Sequence, residues 1–67
     1  MTMNDFEKYC RKTASEKPQE SKEIWRIFSL VESEVIEGES EEAEIEMAME
    51  EIKDLINGVT LFQVNQD

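Results

Sequence analysis

Two apolar stripes at helical spacing meet at a glycine, and this limits the possible folds more than any other feature. Ile24, Ile27, Phe28, Val31 and Val35 fall on one side of a wheel turned by about 100° per residue. Ile45, Ala48, Met49, Ile52, Leu55 and Ile56 make a second stripe, with a period between about 3.5 and 3.6. Between them Gly38 stops the first helix, since glycine takes the left-handed conformation at little cost. Ser40 is placed to cap the second. A link of Gly38 to Ser40 allows only an antiparallel helical hairpin.

The rest of the chain has to attach to that hairpin. Asn4 is the expected cap of an N-terminal helix, with Glu7 three residues on in the capping-box position. Phe6, Tyr9, Cys10 and Thr13 then mark one helical face. The expected helices are at about 5–15, 19–37 and 41–57, divided by Lys17-Pro18 and by Gly38, with Asn57-Gly58 closing the last. The tail 58–67 reads as an extended arm or short strand, with Leu61 and Phe62 covering one end of the bundle. The predicted fold is all-α: a short N-terminal helix packed on a longer antiparallel hairpin, forming one small three-helix domain.

A chain of 67 residues buries only about 60 % of its unfolded surface, and scaffolds of this size usually need a staple. Cys10 is the only cysteine and histidine is absent. No internal disulfide is therefore possible, and the commonest zinc ligand and general base are missing. Helix packing extended across a homodimer is the expected remedy. Trp25 and Ile36 form a second stripe about 100° from the first, flanked by Leu30 on the other side. With Phe28 these are the candidate packing or dimer residues.

Charge divides the molecule. The segment from Glu32 to Asp54 holds eleven acids and one base, Lys53, a balance of −10 that equals the net charge of the whole chain. The other six acids and six bases cancel. That balance opposes direct binding to nucleic acid or anionic lipid and favours a basic protein surface as partner. No secretory signal or membrane span is evident, so a cytoplasmic setting is expected. No cofactor is called for.

Some of the acid is ordinary helix chemistry. Glu39, Glu41, Glu42 and Glu44 suit the positive start of the third helix. Glu50, Glu51 and Asp54 run against the dipole of that helix, and Glu32, Glu34 and Glu37 against that of the second. Glu42–Glu46, Glu46–Glu50 and Glu50–Asp54 place like charges four residues apart, at roughly 0.2–0.5 kcal/mol per pair. Met47 lies about 140° from the centre of the apolar stripe, an adaptable apolar side chain within acid. The expected partner-binding residues are Glu32, Glu34, Glu37, Glu46, Met47, Glu50, Glu51 and Asp54.

Nucleophilic catalysis lacks a histidine, a glycine elbow or a phosphate loop, and Cys10 reads as a small core residue. One carboxylate pattern remains. Glu34-x-x-Glu37 followed by Glu51-x-x-Asp54 resembles the all-α nucleotide pyrophosphohydrolases of the MazG type, over about 21 residues. The resemblance implies carboxylates on adjacent helices that hold magnesium for nucleoside triphosphate hydrolysis, with oxygen ligands suited to that ion. The chain departs from that family where Gly38 ends the helix directly after Glu37, and Glu51 lies well past the turn.

The first expectation is therefore a non-enzymatic interaction module whose acidic hairpin docks on a basic surface of a nucleic-acid-binding protein. Its sharpest form is a DNA-mimic inhibitor of the kind found in phages and mobile elements. Duplex DNA carries about one charge per 1.7 Å of axis, a density that eleven acids on a hairpin roughly 25 Å long approach. A MazG-like hydrolase and a regulatory or structural homodimer joined through apolar surface are the alternatives.

Overall fold

The computed structural model describes residues 1–58 and forms three α-helices with no strand among them. They are α1 (Met3–Glu16), α2 (Ser21–Ile36) and α3 (Glu41–Asn57). The expected arm 58–67 lies, apart from Gly58, outside the described residues.

α1 is longer than its apolar spacing suggests, and its cap is Thr2 rather than Asn4. The Thr2 hydroxyl accepts a hydrogen bond from the Asp5 amide at 3.2 Å, while the Asp5 carboxylate accepts from the Thr2 amide at 3.5 Å. This is a capping box two residues upstream of the expected one, and Asn4 lies inside the first turn. Met3 is half-buried against the core, which is reason enough for the helix to begin early.

Lys17-Pro18 does separate α1 from α2. Pro18–Glu20 forms a single 3₁₀ turn before the α-helix starts at Ser21. Proline fits the first position of such a turn because it has no amide to leave unpaired. The other end of α2 closes as its sequence requires. Gly38 adopts φ +109°, and its amide donates to the Val35 carbonyl at 3.1 Å. The Glu39 amide donates to the Glu34 carbonyl at 3.0 Å, completing a Schellman closure. Ser40 then caps α3, its hydroxyl accepting from the Ala43 amide at 3.3 Å. Gly58, at φ +72°, ends α3.

Each helix gives one stripe to a common core: Phe6, Cys10 and Ala14 from α1, Ile24, Ile27 and Val31 from α2, and Ile45, Ala48 and Ile52 from α3. Thr13 is buried with them, whereas Tyr9 is half-buried at the margin and Ala14 takes a core place. α2 touches both other helices most extensively, as its several apolar faces require. Trp25 and Phe28 are half-buried against the core. Trp25 meets Phe28 edge-on at 5.5 Å, and Phe28 meets Phe6 at 5.7 Å, both in the range of favourable aromatic pairs.

The short link from Glu37 to Ser40 joins two helices that pack against each other, so the hairpin is antiparallel. The start of α1 lies beside the start of α3, where the Met3 amide donates to the half-buried Glu41 carboxylate. Glu41 thus does more than favour its own helix start, because it also accepts one of the amides that the first turn of α1 leaves unbonded. No helix among the described residues is long and apolar enough to cross a membrane.

Candidate protein-docking face

The helix wheel of α3 has a buried stripe and two flanks, and the bundle gives those flanks different neighbours. One flank faces α2 across an open groove. Leu30 and Glu34 form one wall and Glu44, Met47 and Glu51 the other, over a floor of Ile27, Val31 and Ala48. No residue of α1 lines it, so the groove lies on the side of the hairpin away from α1. Leu30 is 52 % exposed and Met47 60 % exposed. Two large apolar side chains therefore stand in water at the lips of a groove with three carboxylates and no base.

The other flank of α3 carries Glu42, Glu46, Glu50 and Lys53 beside Met1. Glu32 belongs to a third surface, where Ile36 and Val35 of α2 meet Met3, Asn4 and Glu7 of α1. Glu37 and Asp54 are exposed, Glu37 at the turn and Asp54 on the outer side of α3. All eight residues expected to bind a partner are thus exposed. They are divided among surfaces, with Glu34, Met47 and Glu51 brought together, Glu46 and Glu50 together elsewhere, and Glu32 apart. Glu44, which sequence spacing assigns only to helix-start chemistry, is half-buried and joins the first group.

Of the packing candidates, Trp25 and Phe28 are used within the chain's own core, while Leu30 opens on the groove and Ile36 is 79 % exposed. Trp25 and Ile36 are eleven residues apart, about 16 Å along the helix. One is folded inward and the other is not.

The acids of the hairpin have little to neutralise them. Among the described residues the ion pairs are Arg11–Glu7 within α1 and Arg26–Glu23 within α2, and neither includes an acid between Glu32 and Asp54. The Glu23 carboxyl is held below its usual range chiefly by its hydrogen bond to Arg26. The Arg26 guanidinium is raised in turn by that bond first, and by Glu51 least. Arg26 is thus already engaged on its own helix and offers Glu51 only a distant pull.

Cys10 is fully buried. Loss of hydration, with a smaller push from Glu7, raises its thiol to about 11. A thiol in that state is protonated near neutrality and is a poor nucleophile. The carboxylates of the magnesium pattern are only partly assembled. Glu34 and Glu51 share the groove, closer than the sequence spacing suggests, but Glu37 and Asp54 stand outside it. Among the described residues no group of three or more Asp, Glu or Cys side chains is arranged to hold a metal ion. No family model, curated protein or solved structure matches the chain.

Proposed function

We propose that this chain is a non-enzymatic interaction module whose acidic α2–α3 hairpin docks on a basic surface of a partner protein. In its sharpest form it is an inhibitor that occupies the nucleic-acid site of a DNA- or RNA-binding protein. One observation carries the reading: the acids of the hairpin form no ion pair within the described residues, and three of them, Glu34, Glu44 and Glu51, surround the exposed apolar pair Leu30 and Met47. Charge of one sign steers a complementary partner and sets its register, while apolar side chains among the acids add contact area once it has arrived.

The test is retention of host proteins on the immobilised chain, washed at about 50 and 200 mM salt and challenged with duplex DNA. A partner recognised in this way leaves as salt rises, is displaced by DNA, and is lost when Glu50→Gln, Glu51→Gln and Asp54→Asn are combined. Retention indifferent to salt and to the triple variant refutes the reading. A second reading is a small homodimer joined through apolar surface, favoured by the exposure of Ile36. It predicts self-association that responds to Ile36→Ser and hardly at all to salt.

A further inference from the structure

The groove between α2 and α3 has a shape as well as a charge. Its lining recurs at positions 27, 30, 31 and 34 of α2 and at 44, 47, 48 and 51 of α3. Both sets follow the i, i+3, i+4, i+7 spacing of a single helical ridge. Seven residues rise about 10.5 Å, so the groove runs between two ridges roughly two turns long. Paired ridges of that kind are what a third helix packs into. α1 fills one side of the hairpin in this manner, whereas no residue of α1 enters the other.

We infer that this groove receives one basic amphipathic helix of a partner protein, seating an apolar side chain between Leu30 and Met47. Arginines or lysines one turn to either side of that side chain meet Glu34, Glu44 and Glu51. The inference rests on the docking function proposed above and names the element of the partner that docks. Charge complementarity selects the occupant, because three carboxylates without a base repel phosphate and acidic helices alike. The apolar floor selects the amphipathic pattern, since burying Leu30 and Met47 requires apolar surface opposite them. A second folded copy fits poorly. Its α1 exposes Lys8, Arg11 and Lys12, yet the apolar side chains of that helix already serve its own core, with Phe6 and Cys10 fully buried and Met3 and Tyr9 half-buried.

The experiment titrates the full chain calorimetrically with three basic peptides of about 18 residues, long enough to form helix on binding. The first carries leucines at i, i+3, i+4 and i+7 between arginines. The second has the same composition with the leucines scattered, and the third is oligo-lysine of equal charge. The expected result is that the amphipathic peptide binds about tenfold tighter than the scattered one, or better. Combined Leu30→Gln and Met47→Gln erases that difference and leaves the binding of oligo-lysine unchanged. Both positions are exposed, and retained helicity by circular dichroism confirms that the variant is folded.

Equal, salt-sensitive affinity for all three peptides overturns the groove inference and leaves the acidic docking function standing. No binding to any peptide at about 50 mM salt overturns both. A wild-type dimer that the double variant dissociates assigns the groove to a second copy and overturns the inference. Binding of the amphipathic peptide only after Leu61→Ser and Phe62→Ser assigns it to the chain's own tail, with the same consequence.

Discussion

Replacing Glu46 and Glu50 with glutamine should make this protein more stable. The two residues lie on one flank of α3 in a series with Glu42 and Asp54, each four residues from the next. The substitutions relieve three repulsive contacts: Glu42–Glu46, Glu46–Glu50 and Glu50–Asp54. At roughly 0.2–0.5 kcal/mol each, the gain is about 0.6–1.5 kcal/mol. Glutamine forms helix about as well as glutamate, so propensity does not obscure the result. Lys53 lies three residues from Glu50 on the same flank, so losing that attraction offsets about one of the three repulsions and leaves a net gain of roughly 0.4–1.0 kcal/mol. For a domain of this size the net gain corresponds to a rise of roughly 2–8 °C in Tm.

The measurement is thermal unfolding by circular dichroism for both proteins at low and high salt. Salt screens exposed charges, and at 1 M the Debye length is only about 3 Å. The wild type should therefore gain more from salt than the variant, and the two melting curves should converge. A variant that melts at or below the wild type in low salt would refute the reasoning. So would a gap that salt does not narrow, because the stabilisation would then have another origin.

Gly38→Ala should cost roughly 1–2 kcal/mol from backbone strain alone, because φ is +109° and the added Cβ meets nothing within 4 Å. Denaturant unfolding with an unchanged slope checks this. Glu41→Ala removes the acceptor of the Met3 amide and should cost about 1 kcal/mol, with faster amide exchange in the first turn of α1. Exchange unaltered there would show that the contact carries no weight. Cys10 should resist alkylation at neutral pH until the protein unfolds. Its thiol is raised from an ordinary value near 9.0 to about 11, so the folded state holds its proton where the unfolded state has lost it. The stability that this thiol contributes is thus fully present below pH 9 and is lost as pH rises through that interval, which unfolding measured across it tests.

The hairpin was legible because its signals are local. Apolar spacing places Ile24, Ile27 and Val31 and then Ile45, Ala48 and Ile52 in the core, and Gly38, Ser40 and Gly58 take the caps their chemistry suits. The start of α1 was not legible in the same way, because Thr2 and Asn4 both offer an oxygen to an amide three residues on. The choice is made by Met3 packing on the core and by the contact between Met3 and Glu41, which joins residues 38 apart. Trp25 likewise reads as surplus apolar surface on a wheel, until Phe28 supplies an aromatic neighbour on the same helix.

The candidate site shows the same limit more sharply. A wheel measures the angle of each acid from the buried stripe of α3, but it does not say which flank lies across from the exposed part of α2. That depends on the side of the hairpin α1 occupies. The bundle settles it by pairing Glu44, Met47 and Glu51 with Leu30 and Glu34, and by leaving Glu46 and Glu50 on the opposite flank. The two flanks should then respond differently to substitution. Neutralising Glu46 and Glu50 stabilises the fold and weakens a basic partner only through the general field. Losing Glu34, Glu44 or Glu51 removes charge from the groove itself, where a desolvated partner cation is worth more than one at a rim. An acidic block kept only for solubility would make no such distinction between flanks. Unequal losses of affinity at equal change in net charge would show that a specific contact, beyond repulsion and solubility, is at work on the α2 side of α3.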